Sequence, residues 1–401
     1  MQDLTLEKAV EVILAHALRI TETEELPLLD ALGRVLAEDV TAAFDNPPFD
    51  RSPLDGYTFA AAATQGATEE APARLTIIGE ECAGAFYGKA VPAGSAIRIM
   101  TGGAIPPGCD CVVRQECVQV EGDQLMVPTE MHAHENYCFA GEDVPKGTVI
   151  AKRGDQLTAA HLGVIASMGY AKVKVYRPLS IALASTGDEL LAPGEQLRPG
   201  KIYNSNLYIL AGRLREMGFQ PQLLGILPDN VEAAAEVVGS YRDKVDLFLT
   251  TGGVSVGKKD IMHGVVKEVG ERLFWRVCMK PGGPAIAYTM GRTLGIALSG
   301  NPFASYATFE LLARPAMAQM AGRTDLAMPR RKVTLADNFP KASRGRRFIR
   351  ARVTADGQAH IPAQHASGSL ASVVGCNAFL DIPAGTGPLP LGARAEAVML
   401  F

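Results

Sequence analysis

The second half of the chain alternates segments that favour strand with segments that favour helix, and this alternation constrains the fold more than any other feature. From residue 179, apolar runs such as SIALAST, QPQLLGIL and VDLFLTT are separated by amphipathic stretches such as LYILAGRLREMG. Strands joined through helices need crossover connections, which favour a mostly parallel, doubly wound sheet. Residues 177–327 are therefore predicted to form an α/β domain, with its last helix kinked or interrupted at Pro315.

The rest of the chain follows other patterns. Apolar residues at helical spacing predict a helix over residues 6–20, and a second helix is predicted to begin at Thr158. Between them, residues 43–144 hold short β-branched runs broken by glycine and proline, which predicts an inserted β-rich domain. Residues 1–42 and 145–176 are expected to pack together as one elongated α/β domain, and residues 328–401 to form a small C-terminal β-barrel.

Composition excludes several classes of protein. A chain of 401 residues exceeds the size of one hydrophobic core, so several domains are expected. A formal charge of −4 gives no global field that would hold a nucleic acid. No apolar run reaches the ~18 residues of a membrane-spanning helix, and the N-terminus is acidic and amphipathic, unlike a signal peptide. We therefore expect a cytoplasmic protein that binds neither nucleic acid nor membrane.

The seven cysteines form no CxxC pair, and the sequence predicts reduced core thiols. A metal or redox role for Cys109 and Cys111 is a weaker alternative. His132, His134 and His161 are predicted to be surface or capping residues, with metal ligation as the less favoured alternative. The single tryptophan, Trp275, is expected in the core and not stacked on a cofactor.

Three loops of the predicted α/β domain carry acids directly after a strand. Ligands of open parallel sheets bind at the carboxyl ends of the strands, so these loops should converge. Glycines in the loop TTGGVSVGKKD would let backbone amides approach a phosphate, and carboxylates suit Mg²⁺. The predicted metal ligands are Glu189, Asp229 and Asp260. The alternative is that Asp229 and Asp260 only cap the helices that follow them.

These motifs also carry a family resemblance. STGDELL, TTGGVSVGKKD, MKPGGP and SGNP resemble the molybdopterin-binding domain of the molybdopterin molybdenumtransferases, the group that includes the gephyrin E domain. Outside that domain, RSPLDGYTFA, IRIMTGGAIPPGCDCVV and GEDV resemble further segments of the same family, in the family's order, from about residue 40 to 370. The resemblance implies a four-part fold and a homodimer.

The resemblance also implies the site residues. Those implied as catalytic are Asp55, Asp143, Glu189, Asp229 and Asp260. Those implied or predicted to bind substrate are Thr101, Gly252, Gly253, Ser255, Arg276, Lys280, Pro302, Arg350 and Ser369. In such dimers, Asp55 and Thr101 of one subunit would complete a site that the partner subunit builds. A turn role before Gly56 is the alternative for Asp55.

Cations are needed for the oxyanion, because molybdate carries two negative charges, and Arg276, Lys280 and Arg350 are the candidates. The sequence departs from the family at Gly283, where Lys is usual, at Ser299 and at Ala304, where Ser is usual. These changes bear on the oxyanion pocket and on the choice of molybdate over tungstate. Arg276 is the expected substitute for the missing lysine.

The implied activity is the insertion of molybdate into adenylylated molybdopterin, with Mg²⁺ bound and AMP released. One alternative is the preceding adenylylation of molybdopterin, against which the segment SPLDGY argues. A second alternative is a pterin-binding scaffold without turnover. The molybdopterin adenylyltransferase and the apo forms of molybdenum enzymes are further candidate partners.

Overall fold

A computed structural model describes residues 3–255, 257 and 260–401. These residues divide into two compact units. Unit 1 comprises the N-terminal stretch up to Glu24, Gly33–Val35 and Val175–Phe401, and unit 2 comprises Glu25–Leu32 and Leu36–Lys174. The finer division into four domains stays a prediction. None of the helices in the described ranges has the length and apolar character that crossing a membrane requires.

The regular elements are as follows. The helices are α1 (Leu6–His16), α2 (Ala159–Ser167), α3 (Ser205–Glu216), α4 (Val231–Gly239), α5 (Met262–Val269), α6 (Pro302–Thr308) and α7 (Arg314–Ala321). The strands are β1 (Thr23–Pro27), β2 (Val40–Thr41), β3 (Gly56–Phe59), β4 (Ala73–Glu81), β5 (Ser95–Ile99), β6 (Cys111–Arg114), β7 (Gln119–Glu121), β8 (Gln124–Val127), β9 (Val149–Ala151), β10 (Lys172–Tyr176), β11 (Ile181–Thr186), β12 (Leu190–Leu191), β13 (Ile202–Tyr203), β14 (Gln222–Leu227), β15 (Leu247–Thr251), β16 (Glu271–Trp275), β17 (Ile286–Met290), β18 (Thr293–Leu298), β19 (Arg330–Leu335), β20 (Arg347–Val353), β21 (Gln358–His360), β22 (Ala378–Ile382) and β23 (Arg394–Met399).

The central sheet of unit 1 has the strand order β14-β11-β15-β18-β17-β16. Its first four strands are parallel, and every residue of β11, β15 and β18 is buried, as continuous apolar runs between two helical layers require. The last two strands pair antiparallel, with β17 and β18 joined as a hairpin. Because β17 is antiparallel to both β18 and β16, β16 runs in the same direction as β18. Five strands therefore end at the same edge of the sheet, and the predicted α/β fold is confirmed.

The last long helix is interrupted, as predicted at Pro315. A π-helical segment, Phe309–Ala313, separates α6 from α7, and Pro315 lies in the first turn of α7. The π segment buries Glu310 between two arginines, with Arg213 Nε at 2.5 Å and Arg314 Nη1 at 2.9 Å. Two cations compensate this buried carboxylate and offset the cost of its desolvation.

The first helix differs from its prediction in length. It ends at His16 and not at residue 20, because Gln319 Nε2 donates to the carbonyls of Leu14 and Ala17, which completes the helix end. The amide of Ile20 then bonds to the carbonyl of Met320, 2.9 Å away. The helix therefore packs on α7 in unit 1, while β2 pairs with β9 in unit 2.

The C-terminal segment closes into a barrel, as predicted. Its strand order is β19-β21-β20-β22-β23, and its apolar core includes Val333, Ile349 and Leu380. Strand β20 buries four consecutive residues, Phe348 to Ala351, and one of them is Arg350. A buried arginine between apolar neighbours requires polar partners, and Arg350 has them at the candidate site described below.

Unit 2 contains the predicted β-rich region. Its main sheet has the order β6-β3-β5-β4-β8-β7, and Cys111 lies in the apolar core of that sheet. Burial raises the pKa of Cys109 to about 11 and that of Cys111 to about 12, which argues against thiolate ligation at neutral pH. The prediction of core thiols is wrong for Cys82, Cys117 and Cys278, which are exposed. His161 helps Thr158 to cap α2, as predicted.

Candidate active site

A cavity of about 710 Å³ lies where the strands of the central sheet end. We call it the strand-end cavity. The loops that follow β11, β14, β15, β16 and β18 all contribute to its wall, as the shared strand direction dictates. Its polar and glycine lining includes Thr186, Glu189, Asn206, Asp229, Gly252, Gly253, Ser255, Asp260, Arg276, Lys280, Ser299 and Ser367.

The glycine-rich loop after β15 is fixed against its neighbours. Gly252 and Gly253 both have positive φ, and a Cβ on Gly252 would lie 2.6 Å from the carbonyl oxygen of Thr186, so only glycine fits. Trp275 Nε1 donates to the carbonyl of Val254 at 2.9 Å, and its ring packs on the core, as predicted. The carbonyl of Ser255 accepts from the His263 ring at 3.1 Å. Two side chains thus hold this loop in place.

The three predicted acids all line the strand-end cavity. Asp229 Oδ2 accepts from the amide of Asp188 at 3.1 Å, and Asp260 Oδ2 accepts from the amide of Gly257. Neither residue caps the helix that follows: Asn230 caps α4, and α5 has no side-chain cap. The capping alternative is therefore wrong. Within the described residues, no three Asp, Glu, His or Cys side chains lie close enough to hold a metal by themselves.

A second cavity, of about 320 Å³, adjoins the first and shares Lys280, Pro281 and Ser367 with it. Lys280 lies between the two because its backbone joins β20: its amide donates to Arg346 O at 2.9 Å, and its carbonyl accepts from the Phe348 amide at 2.8 Å. The second cavity has four cationic side chains, and none of the described residues in its wall is acidic. We call it the cationic cavity. The four are Lys280, Lys341, Arg347 and Arg350.

Arg350 is the most buried of these cations, with a relative exposure of 1%. Its Nη2 donates to the carbonyls of Gln364 and Ala366 at 2.8 and 3.1 Å, and its guanidinium lies 4.0 Å from the centre of the Phe303 ring. Its Nε is buried and has no hydrogen-bond partner in the protein. Burial lowers the pKa of Arg350, although a guanidinium still remains charged at neutral pH. The residue therefore presents a partly unmet cation to the cavity.

Two further polar groups of this cavity also lack partners. Arg347 Nε and His365 Nδ1 are buried without a hydrogen bond in the described protein. Burial is the main cause that lowers the pKa of His365, followed by the charges of Arg350, Lys341 and Arg347. Buried polar atoms without partners are uncommon in native proteins, and several in one wall indicate a site for a ligand. The surplus of positive charge indicates that this ligand is an anion.

Comparison with known proteins decides the family. The MoeA N-terminal region (domain I and II) matches residues 4–169, the probable molybdopterin binding domain matches 182–319, and the MoeA C-terminal region (domain IV) matches 332–400. A molybdopterin molybdenumtransferase of Staphylococcus epidermidis is 33% identical over 402 residues, covering 99% of this chain and 95% of the relative. The chain belongs to the molybdopterin molybdenumtransferase family.

Other relatives agree with this assignment. A molybdopterin molybdenumtransferase of Staphylococcus aureus is 34% identical over 375 residues, covering 92% of this chain and 89% of the relative. A crystal structure of a molybdopterin biosynthesis MoeA protein from Pyrococcus horikoshii matches with a TM-score of 0.83 at 32% identity, covering 99% of this chain and 100% of that one. The predicted family, fold class and transferase activity in molybdenum-cofactor biosynthesis are confirmed.

The residues that the sequence predicted to bind substrate are divided between the two cavities. Arg276 and Pro302 line the strand-end cavity only, and Arg350 lines the cationic cavity only. Ser369 lines neither, and its Oγ donates to Gln364 Oε1 at 3.1 Å. The family departures at Gly283, Ser299 and Ala304 all lie in the wall of the strand-end cavity.

The remaining predicted residues belong to unit 2. Asp55 Oδ1 accepts from the Thr101 amide at 2.7 Å and from its hydroxyl at 2.8 Å, and these bonds lower the pKa of Asp55. The structure thus brings together two residues that lie far apart in sequence. Asp143 Oδ2 accepts from Asn46 Nδ2 at 3.0 Å, which ties the GED turn to an earlier segment. Both carboxylates are fixed by protein donors.

Sequence reasoning missed several residues of the site. Thr186 and Asn206 line the strand-end cavity, and Lys341, Arg347 and His365 line the cationic cavity. The segment NSN at the start of α3 was a usable signal, since only its first asparagine is needed as a helix cap. Lys341 and His365 carried no such signal, because only the tertiary fold brings them into one wall with Arg350.

Proposed function

We propose that the chain inserts molybdate into adenylylated molybdopterin and releases AMP. The observation that carries this proposal is the pair of adjoining cavities with complementary chemistry. One offers backbone amides and carboxylates, and the other offers cations and no acid among its described lining residues. A phosphate ester with its metal suits the first, and a free oxyanion suits the second. Lys280 and Ser367, common to both walls, would lie where the two reactants meet.

In the strand-end cavity, the amides of Gly252 and Gly253 would approach the phosphates of the substrate. Glu189, Asp229 and Asp260 offer carboxylate oxygens, which fit Mg²⁺, an ion that binds through one or two carboxylates together with substrate phosphates. When bound, Mg²⁺ neutralises charge that develops on phosphate oxygens. One of the three acids would also orient the attacking oxygen at the phosphorus atom.

In the cationic cavity, molybdate would bind between Arg350 and Lys280, with Lys341 and Arg347 adding further positive charge. Two negative charges on the ligand face four positive side chains. Each hydrogen bond between charged groups contributes about 1.5–3 kcal/mol. The usual lysine that Gly283 replaces in this chain would belong to the strand-end cavity, so the cationic cavity keeps a full set of cations without it.

We also propose a cytoplasmic homodimer with shared sites, in which Asp55 and Thr101 of one subunit complete the strand-end cavity of the other. Seven free cysteines fit a reducing compartment. Asp55→Ala and Asp260→Ala should each inactivate the enzyme, and a mixture that exchanges subunits should regain partial activity. Heterodimers place both defects in one site and leave the other intact. A mixture that stays inactive despite proven exchange would contradict the shared site.

One assay tests the proposed reaction. The protein is given adenylylated molybdopterin, molybdate and Mg²⁺, and AMP release is followed together with reconstitution of an apo molybdenum enzyme. We expect both signals, and each should depend on molybdate and magnesium. Formation of adenylylated molybdopterin from ATP would instead show the preceding reaction, and binding without AMP release would show a scaffold.

A further inference from the structure

The strand-end cavity contains a polar atom that neither the acids nor the glycine-rich loop accounts for. Asn206 is 9% exposed, and its side-chain amide Nδ2 donates to Gly300 O at 2.7 Å and to Thr251 Oγ1 at 2.9 Å. Because a carbonyl oxygen only accepts, the Gly300 contact fixes which end of the amide is nitrogen. The other end, Oδ1, is buried and has no hydrogen-bond partner in the protein.

A neighbouring asparagine shows that the missing bond is not a general property of this helix start. Asn204, two residues earlier, caps α3: its Oδ1 accepts from the Leu207 amide at 3.2 Å and from Ser185 Oγ at 3.0 Å. Asn204 is thus satisfied within the protein, whereas Asn206 is satisfied only through its nitrogen. An unmet buried acceptor destabilises the protein, so a ligand that donates to it would recover that free energy.

The chemistry of an amide oxygen selects the part of the substrate that can bind there. Phosphate oxygens and molybdate are acceptors and gain nothing from a second acceptor. A ring that carries N–H groups is a suitable donor, and the pterin and the adenine of the proposed substrate both carry them. We propose that Asn206 Oδ1 accepts a hydrogen bond from the exocyclic amino group of the substrate's heterocycle and so fixes its orientation in the strand-end cavity. This inference rests on the proposed function.

Binding assays on the wild type and on Asn206→Ala test the inference without requiring turnover. The probes are pterin, lumazine (which has an oxygen in place of the amino group of pterin), AMP, purine riboside monophosphate (which lacks the amino group of AMP) and inorganic phosphate. We expect Asn206→Ala to weaken binding of pterin or of AMP about ten-fold, and to leave phosphate binding unchanged. The probe that loses affinity identifies the ring.

A matched control separates recognition from loop support. Ser305→Ala removes a hydroxyl that donates to Thr251 Oγ1 at 3.2 Å in the same buried network, but Ser305 does not line the cavity. It should leave binding of every probe within about two-fold, since it removes no ligand contact. For the ring that Asn206 contacts, the analogue that lacks the amino group should bind more weakly than its parent compound to the wild type. The two compounds should bind equally well to Asn206→Ala.

The inference is wrong if Asn206→Ala weakens pterin, AMP and phosphate equally, since that pattern shows only a displaced loop. It is also wrong if neither ring loses affinity. Should Asn206→Ala not fold, the wild type alone tests the inference through two ligand pairs, pterin with lumazine and AMP with purine riboside monophosphate. Equal affinities within both pairs overturn the inference, and a weaker affinity for either analogue supports it. Failure of AMP release by the wild type would contradict the proposed function and leave these binding results intact.

Discussion

The strand-end cavity and the cationic cavity share part of their walls and differ in almost everything else. The first, of about 710 Å³, combines three acids with backbone amides, whereas the second, of about 320 Å³, has four cations and no acid in its described wall. Lys280 and Ser367 belong to both. In the proposed reaction, this contrast would let one enzyme hold two anions of different kinds next to each other without exchanging their positions.

The two cavities also differ in how the chain builds them. The parallel strands of one sheet supply the acids, so each acid lies in the loop that follows a strand. The cationic cavity combines β20 of the barrel with loops near residues 341 and 365, and Lys280 joins it through backbone bonds to β20. The first design follows from sheet topology, whereas the second depends on how the barrel closes beside the sheet.

The largest effect is expected in the strand-end cavity. Asp260→Ala should lower Mg²⁺-dependent AMP release about a hundred-fold or more, as loss of a charged group at a phosphoryl site does, and leave molybdate binding unchanged. Asp260→Asn, which keeps an acceptor for the Gly257 amide, should lose as much, because it removes only the charge. Steady-state AMP release at saturating magnesium is the measurement. Unchanged turnover would remove Asp260 from the site.

A somewhat smaller effect is expected in the cationic cavity. Arg350→Met keeps the apolar contact with Phe303 and removes the charge, and it should weaken molybdate binding about ten- to a hundred-fold. Pterin and AMP binding should stay unchanged. Arg344→Met is the control, since Arg344 is exposed and outside the cavity wall. Equilibrium dialysis with molybdate gives the affinities, and equal affinities for wild type and Arg350→Met would refute the assignment.

The family departures sharpen the comparison further. The sequence predicts that Arg276→Ala raises the molybdate concentration needed for half-maximal insertion, and that Gly283→Lys partly rescues it. Both residues lie in the strand-end cavity. The structure therefore predicts that Arg276→Ala weakens binding of the nucleotide-bearing substrate by about ten-fold at most. A selective rise in the molybdate requirement would restore the original prediction.

Gly283→Lys should not rescue binding. A Cβ at this position would lie 3.2 Å from the carbonyl oxygens of both Val277 and Met279, which is tight for a rigid loop. We expect a loss of stability of about 1 kcal/mol, measured by denaturant unfolding, without a gain in molybdate affinity. Gly345→Lys is a control on an open position, where a Cβ meets nothing within 4 Å. Rescue of Arg276→Ala by Gly283→Lys would show that the loop adapts.

The smallest expected effect is a pH dependence. Burial and the charges of Arg350, Lys341 and Arg347 lower the pKa of His365, so the ring is neutral at pH 7 in the free protein. A bound dianion favours the charged ring and raises this pKa. Affinity for molybdate should therefore rise as the pH falls from the pKa of the bound state to that of the free state, by at most about ten-fold per pH unit.

Proton uptake measures this effect directly. Calorimetric titration with molybdate in two buffers of different ionisation enthalpy should show net uptake near pH 6 in the wild type and none in His365→Gln. Identical uptake in the two proteins would assign the proton to another group.

The sequence predicted the parts of the molecule that depend on local patterns. Glu189, Asp229 and Asp260 were predicted because strand ends of a parallel sheet share an edge, and Pro315 was predicted because it lacks an amide hydrogen. The first helix was predicted too long because its end depends on Gln319, about three hundred residues away. Lys341 and His365 were missed for the same reason, since tertiary contacts bring them to Arg350, whereas Arg347 lies three residues away on the same strand.

The assignment of Ser369 shows the same limit in the opposite direction. The family resemblance placed it in the site, but its hydroxyl donates to the side chain of Gln364, whose main-chain carbonyl in turn accepts from Arg350. Gln364 thus separates Ser369 from Arg350 in the cavity wall, and the sequence alone does not show this. Positions of this kind can be assigned only from the structure, whereas the family and the transferase activity can be assigned from the sequence.

The central claim is that phosphate ester and oxyanion occupy separate, adjoining cavities. Paired titrations of AMP and of molybdate into Asp260→Ala and Arg350→Met test it most directly, with Mg²⁺ present throughout. We predict that Asp260→Ala loses affinity for AMP and keeps molybdate binding, and that Arg350→Met does the reverse. If each variant loses affinity for both ligands to the same extent, the two cavities act as one site and the account is contradicted.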